Sequence, residues 1–423
     1  MSSGEREAGT GPQLRHGGSK ADQAGAWVEL SDAALAALAR LGADPQARPD
    51  GAVATELAAR GIARMGLLTA EWWPVAEALA APEGVLRGEL RTSEGGGRLE
   101  GWLRGGVAVV ALPVDQGQRL LVGPAGDLPG VLADLVGLGP RARPSAKGQV
   151  VDPRALPRRP DPGQRQWRLG TVWTIDGEER RVELGVLDDD AELWRVAPTD
   201  DGRLHLHPTD PLEVLLGLAG LLPGQPRPPE GWRPMHRDHL GVRLEVPLDW
   251  ECVDRGPDRV VLAAPQALGS GTPPTSRTHP ASPAHTTSRT QATSRTQATS
   301  RTQATPRTHL TLRAVAAPAE AALAAWRHGL RSPRPLGSTE DELPVGRVPR
   351  DAVRYEAGGI GHLGLAWALP QGPDTLLVVA ALPTGLLRVD LDAVAEVVTR
   401  VRVTGAPVRS GPPGARASAA PSG

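Results

Sequence analysis

The sequence predicts an α+β protein built from antiparallel sheets. Short apolar-alternating runs bounded by Gly and Asp turns indicate strands, and runs with apolar residues at helical spacing indicate helices. An internal repeat contains both strand and helix patterns. The stretch "RLLVGPAGDLPGVLADLVGLGP" from Arg119 aligns without gaps with "RLHLHPTDPLEVLLGLAGLLPG" from Arg203. Two copies of a β-meander-plus-helix unit predict a quasi-twofold N-terminal domain.

Composition limits the classes of function. A length of 423 residues predicts about three domains. A hydrophobic content of 40% is enough to form hydrophobic cores. With 11 Trp, 1 Tyr and no Phe, tryptophan must help to fill those cores. A net charge of −1 gives no overall attraction to nucleic acid or to acidic membranes. The single cysteine, Cys252, excludes an internal disulfide and a multi-thiolate zinc site.

The ends of the chain and its longest apolar run predict a soluble cytoplasmic protein. Residues 1–26 are polar and Gly-rich, so we expect them to be disordered and not a secretory signal. The apolar run from Thr375 to Leu387 contains Pro383 and is too short to span a bilayer. No membrane insertion is therefore expected.

The first domain is predicted over residues 27–224 and opens with helices. Ser31 is a good N-cap for a helix that Gly42 should end. Of the two helices that follow, the second should be capped by Thr69 and carry Pro74 in or near its first turn.

Two copies of the repeated unit complete this domain. Four short strands and a helix are predicted at about 85–140, and the same order recurs at 166–224. The connector between them, 141–165, is Pro-rich and basic, so we expect it to be extended and solvated.

A second domain is predicted at 239–403, after a linker at 225–238. The hexad "TSRTQA" repeats within 266–308, with a strand predicted on either side of it. The two strands before it are too few for a stable core, and a long loop adds little closure cost. The hexads are therefore predicted to be a disordered insertion within one sheet. The tail, 404–423, is also predicted to be disordered.

Histidine pairs are the strongest candidates for metal chemistry. His205 and His207 should share one face of a strand, and His236 and His239 form a second pair. Either pair could ligate zinc, but no third ligand of the right kind stands nearby. We expect no metal site, and a metal-binding or hydrolytic enzyme built on His205 and His207 is the alternative.

Other reactive patterns are weaker. Asp188–Asp190 lacks the spacing of a calcium loop and is interpreted as a charged turn. Cys252 has no neighbouring base in the sequence that would activate a nucleophile. "GGIGHLG", from Gly358 to Gly364, stands between two predicted strands and is interpreted as a β-turn, not a dinucleotide loop. No catalytic residue, cofactor site or enzyme activity is predicted.

Tryptophans are the candidates for partner contact, because Trp is enriched at binding hot spots. Trp72, Trp73, Trp173 and Trp194 are predicted in this role, although large aromatics are mostly buried. The Arg-rich hexads leave open a weak nucleic-acid association. They contain no acid and no aromatic residue for base stacking.

Residues 27–224 resemble the EspG family, cytoplasmic chaperones of actinobacterial type VII secretion. The resemblance rests on "VELSDAALAALARLGAD", "ARGIARMGLLTAEWWPVAEALAAPEGVLRGELR" and "GVAVVALPVDQGQRLLVGPAGDLPGVLADLVGLGP". It implies a quasi-twofold α+β architecture, a protein partner among type VII secretion substrates or components, and no catalytic residues.

Residues 239–403 look like PsbP-like domains, including the LpqN-type proteins. The matching stretches are "GVRLEVPLDWE", "HLTLRAV" and "DLDAVAEVVTRVRV". This resemblance implies an antiparallel sheet flanked by helices, usually a binding module. Together, the two resemblances favour a non-enzymatic, cytoplasmic protein-binding adaptor or chaperone.

Overall fold

The computed structural model describes most of the chain. The described residues are 27–156, 160–175, 177–189, 191–223, 229–256, 258–265 and 306–404. The predicted disorder of 1–26, of most of the tail and of most of the insertion falls outside these ranges and stays a prediction.

The described residues form helices and antiparallel sheets, which confirms the α+β fold class. The helices are α1 Asp32–Ala43, α2 Gly51–Ala59, α3 Trp73–Ala80, α4 Leu128–Leu135, α5 Pro211–Ala219, α6 Ala319–His328 and α7 Leu387–Thr399. The strands of the first half are β1 Trp27–Leu30, β2 Ala63–Arg64, β3 Leu67–Leu68, β4 Gly84–Thr92, β5 Gly95–Arg104, β6 Val107–Val114, β7 Gly117–Pro124, β8 Gln149–Val151, β9 Arg165–Ile175, β10 Glu178–Asp188, β11 Leu193–Pro198 and β12 Leu204–Thr209. Those of the second half are β13 Trp232–Arg237, β14 Val242–Pro247, β15 Glu251–Arg255, β16 Arg259–Ala263, β17 His309–Val315, β18 Arg334–Leu343, β19 Gly346–Ala357, β20 Ile360–Gln371, β21 Asp374–Pro383 and β22 Arg402–Val403.

The two repeat copies share one ten-stranded sheet. Its order is β1-β7-β6-β5-β4-β9-β10-β11-β12-β8. The equivalent strands β4 and β9 pair antiparallel at the centre, with Gly84 opposite Trp173 and Thr92 opposite Arg165. A pseudo-twofold axis therefore passes between these two strands and relates the copies.

The connector and the linker contain strands that the sequence analysis did not predict. Within 141–165, β8 adds to the edge of the large sheet, with Val150 opposite His205. Within 225–238, β13 pairs with β14 and buries Met235. Both strands form because an open sheet edge offers backbone hydrogen bonds, which require no apolar alternation in the added strand.

The N-terminal helices follow from local signals. The Ser31 hydroxyl accepts a hydrogen bond from the Ala34 N–H at 3.1 Å, which confirms the cap. Helix α1 runs one residue past Gly42, which instead lets α1 approach the backbone of Ala76 in α3. Thr69 precedes a 3₁₀ turn and makes no capping bond, so that prediction was wrong. Pro74 lies in the first turn of α3 as predicted.

A seven-stranded sheet forms the second half, in the order β15-β16-β17-β21-β20-β19-β18. Strands β16 and β17 are hydrogen-bonded neighbours, with Ala263 opposite His309. Just beyond them, the Ala264 N–H donates to the Thr308 carbonyl at 3.0 Å, and the Arg307 Nε donates to the Ala264 carbonyl at 2.9 Å. The chain thus leaves this sheet and returns to it at adjacent points.

Three helices join the two halves. Helices α4 and α5 contact each other, α5 contacts α7 and β18, and α7 packs on β21 and β14. A single apolar cluster contains the fully buried Leu132, Leu215 and Val394 from these helices. Helix α6 packs separately on β20 and β21.

Close backbone contact and a buried arginine reinforce this junction. A Cβ added to Gly385 would lie 2.8 Å from the Cα of Gly126, so only glycine fits at either position without movement. Arg354 is 6% exposed and donates to the Gly130 carbonyl at 2.7 Å and to the Asp134 carboxylate. Such a buried cation must be paired to be tolerated.

Candidate functional site

A cleft of about 940 Å³ lies under the β4–β5 hairpin, on the sheet face that carries α4. We call it the hairpin cleft. The C-terminal end of α4 forms one wall through Leu135 and Val136. Apolar side chains of four strands form the floor: Leu90, Leu99, Leu112, Trp167 and Leu169. An apolar floor within a concave surface is the usual character of a binding site.

Three successive glycines lie in the hairpin beside the leucines of this floor. Gly95, Gly96 and Gly97 pair with the last residues of β4, and Gly97 stands directly opposite Leu90. Facing residues of paired strands point to the same side of a sheet. Position 97 therefore faces the cleft. An added Cβ there would meet no atom within 4 Å. The missing side chains leave the space open and expose backbone to a ligand.

The charged side chains of the same hairpin lie on the other face of the sheet. Glu89 pairs with Arg91 at 3.2 Å and with Arg98 at 3.7 Å, and all three side chains are exposed. Glu89 and Arg98 stand opposite each other and alternate with Leu90 and Leu99, so they point away from the apolar floor. The cleft side of these two strands is therefore apolar.

A buried ionic cluster fixes the wall of the cleft. Asp188 is 1% exposed and accepts from Arg165 at 2.8 Å and from Arg141 at 3.0 Å. Arg165 also donates to the carbonyl of Val136 at 3.3 Å, which ties β9 to the end of α4. Asp188 therefore has a structural role inside the fold, whereas Asp189 fits the interpretation as a charged turn, since it accepts from the Glu192 N–H at 2.5 Å. Asp190 lies outside the described residues.

The four predicted tryptophans do not form one cluster, although Trp72 and Trp73 are neighbours. Trp173 and Trp194 are only 6% and 8% exposed, and the Trp173 indole donates to the Leu221 carbonyl at 2.8 Å. Their side chains therefore offer little surface to a partner. Trp72 and Trp73 are half-buried against the cluster beneath α1 and α3. Partner contact by these residues stays a prediction.

The histidines do not assemble a metal site among the described residues. The His205 and His207 rings lie 3.7 Å apart on one face of β12, as predicted. Burial and the neighbouring His205 and Arg195 lower the pKa of His207. Across the described ranges, no three His, Cys, Asp or Glu side chains are grouped to hold a metal ion.

Two further motifs have structural roles. Cys252 is half-buried; Arg237 donates to its sulfur at 3.9 Å, and its thiol donates to the Asp254 carbonyl at 3.6 Å. Gly358 and Gly359 adopt φ values of 62° and 79° and form the turn between β19 and β20, whereas the rest of the predicted turn, from Ile360 to Gly364, belongs to β20.

Sequence reasoning missed the hairpin cleft. Trp167 and the glycine run Gly95–Gly97 fall within the predicted strand and turn regions, and no site is predicted there. The available signal was "SEGGG", a glycine run longer than a tight hairpin requires, directly after the alternating leucines of β4.

Comparison with known proteins gives partial structural likeness. No family model and no curated protein matches the sequence. The Mycobacterium tuberculosis type VII secretion chaperone EspG5, solved in complex with the PE25–PPE41 dimer, is similar at a TM-score of 0.35 and 12% identity, over 46% of this chain and 95% of that chain.

Two other solved structures show weaker likeness. The immunity protein TplEi of the T6SS from Pseudomonas aeruginosa has a TM-score of 0.19 and 10% identity, over 77% of this chain and 93% of that chain. MucB, in complex with MucA(peri), has a TM-score of 0.15 and 13% identity, over 76% and 94%. All three TM-scores are below 0.5, so these likenesses assign no function. Among the described residues, no helix is long and apolar enough to cross a membrane.

Proposed function

We propose that this chain is a non-enzymatic protein-binding adaptor or chaperone that holds an apolar segment of a partner in the hairpin cleft. The observation that carries the proposal is the combination of an apolar floor and an unfilled glycine run beside it in a cleft of about 940 Å³. Apolar area removed from water on binding supplies the affinity.

The architecture suits a binding role because the floor is rigid. Trp167 and Leu169 belong to β9, the central strand that pairs with both β4 and β10. The wall is fixed by the Asp188 cluster, so a ligand meets preformed contacts and little ordering entropy is lost on the protein side. The glycines of the hairpin are the adjustable part, since glycine has the greatest backbone freedom.

We further propose a cytoplasmic role with a type VII secretion substrate or component as the partner. This finer proposal is supported by the sequence stretches that resemble the EspG family, several of which form the cleft. The "GVLRGELR" strand contributes Leu90, and the "LPGVLADLVG" helix contributes Leu135 and Val136.

The test is co-purification of partners from the native host with a variant that fills the cleft. Gly97→Trp places a large side chain in the open space above Leu90, so we expect partner recovery to fall at least about tenfold. Gly51→Trp is the matched control, because Gly51 is exposed at the start of α2 and an added Cβ there also meets no atom within 4 Å.

The outcomes separate the parts of the proposal. Partners recovered equally with both variants would rule out the hairpin cleft as the binding site. Recovery of a partner unrelated to secretion, lost only with Gly97→Trp, would keep the binding role and reject the type VII assignment. Circular dichroism of both variants shows whether the fold is retained.

A further inference from the structure

A small hairpin beside α2 exposes apolar side chains at its tip. Strands β2 and β3 are joined by Met65 and Gly66, and Arg64 stands opposite Leu67. Met65 is 91% exposed and Leu67 is 50% exposed. Large apolar residues so exposed on neighbouring positions are unusual on a protein surface that faces only water.

The backbone of this tip is also unusual. Met65 has φ 52° and Gly66 has φ 78°, the pattern of a tight two-residue hairpin turn. Asn, Asp or Gly normally occupies the first of these positions, because side chains such as that of Met are disfavoured at positive φ. Met65 therefore carries two unfavourable features, a strained backbone conformation and an exposed apolar side chain.

The charges on the hairpin and on its immediate flanks, from Leu57 to Ala70, have one sign, and the next acid is the exposed Glu71. Arg60 and Arg64 flank it, both exposed, and neither makes an ion pair with another described residue. The sequence from Leu57 to Ala70 contains no acid. Preceding Glu56 accepts hydrogen bonds from both the N–H and the hydroxyl of Ser31, and it therefore faces α1. The tip is thus apolar at its end and cationic at its base.

We propose that this tip binds an anionic lipid surface. Insertion of Met65 and Leu67 at the boundary of headgroups and acyl chains removes apolar area from water. Arg60 and Arg64 then lie at the depth of the lipid phosphates, where each cation near an anionic surface is attracted. The binding is peripheral and reversible.

A lipid surface fits the tip better than a folded partner does. A stable protein interface uses about 20–30 residues on each side, and a tip with two large apolar side chains and two cations provides far fewer. A lipid surface needs no matching shape, and it supplies many negative charges to two unpaired arginines. The proposal is independent of the hairpin cleft.

Vesicle sedimentation of the full chain tests the proposal. Vesicles of phosphatidylcholine alone and with about a third of phosphatidylglycerol would be compared at low and high salt. We expect binding only to the anionic vesicles. The double variant Met65→Ser/Leu67→Ser should lower the apparent partition at least about tenfold, and Arg60→Gln/Arg64→Gln should lower it by a similar factor.

A matched variant and a label complete the design. Leu248→Ser changes another exposed leucine, 54% exposed and in the other half, and should leave binding unchanged. In a Cys252→Ser background, a polarity-sensitive dye on Met65→Cys should shift to the blue with anionic vesicles, whereas the same dye on Leu248→Cys should not.

Two results would overturn the lipid assignment. One is sedimentation with anionic vesicles that Met65→Ser/Leu67→Ser leaves unaltered, or that does not exceed sedimentation with neutral vesicles. The other is a blue shift of the dye on Met65→Cys without lipid as protein concentration rises, which would indicate that a second copy of the chain covers the tip.

Discussion

Replacing Gly385 by Ala should destabilise the whole molecule. The new Cβ would lie 2.8 Å from the Cα of Gly126, whereas ordinary contacts begin at 3.4 Å. The two backbone segments must therefore separate by about 0.6 Å in a junction packed as densely as a protein core. Overpacking of this kind costs about 1–3 kcal/mol. A compatible Gly-to-Ala change would otherwise stabilise by about 0.4–1 kcal/mol.

Thermal and urea unfolding measure this effect. At about 2–4 °C for each kcal/mol in a domain of this size, Gly385→Ala should lower the Tm by several degrees. The control is Gly51→Ala, where the added methyl meets no atom within 4 Å, and which should be neutral or slightly stabilising.

A double variant tests whether Gly126 and Gly385 share one contact. In Gly126→Ala/Gly385→Ala, the backbone segments around the two positions must already separate to accept the first methyl. The second methyl then requires little further movement. Its cost should therefore be well below the sum of the two single costs. Gly385→Ala with the same Tm as Gly51→Ala would refute the close approach of the two halves, and full additivity would refute the shared contact.

Three further predictions concern single side chains. Ser31→Ala removes the cap on the Ala34 N–H and the bond to Glu56, and should cost about 1–2 kcal/mol in urea unfolding; no change would mean that the cap is dispensable. Trp173→Phe removes the indole donor of the Leu221 carbonyl, which still accepts from the Thr171 hydroxyl at 2.7 Å, and the lost hydrogen bond should cost about 0.5–1.5 kcal/mol; no measurable cost would contradict this hydrogen bond. Burial holds the pKa of His362 below its ordinary 6.5, so its contribution to stability is present above pH 6.5 and is lost as pH falls through the lowered pKa. In His362→Gln, the urea midpoint should therefore fall less between neutral and acidic pH than in the parent chain, and equal slopes would exclude this histidine.

Features encoded over a few residues could be predicted from the sequence. Ser31 precedes a run of leucines at helical spacing, and its cap is formed as expected. The repeat predicted the meanders and their quasi-twofold relation, because strand alternation and turn glycines are local signals. The pairing of β4 with β9 at the centre of one sheet follows from that relation.

Features that depend on distant partners could not be predicted. Strand β8 forms only because β12 leaves an open edge beside it. Strand β18 was missed because, at the edge of its sheet, it buries mainly Leu336 and Leu343 among polar residues.

The hairpin cleft is also formed by residues that are far apart in the sequence. Its floor combines side chains of β4, β5, β6 and β9 with the end of α4. The sequence alone could not tell that Trp173 and Trp194 are core residues, since a chain without Phe uses Trp as its large core side chain.

The adjacent exit and return of the chain beside Ala264 and Thr308 has an evolutionary consequence. Because the two ends are held by backbone hydrogen bonds, the number of hexads between them can drift through replication slippage without disturbing either neighbouring strand. Doubling such a segment adds only about 0.6 kcal/mol of closure cost. The free energy of folding therefore depends only weakly on the number of hexads. Closely related strains should carry alleles that differ by whole hexads.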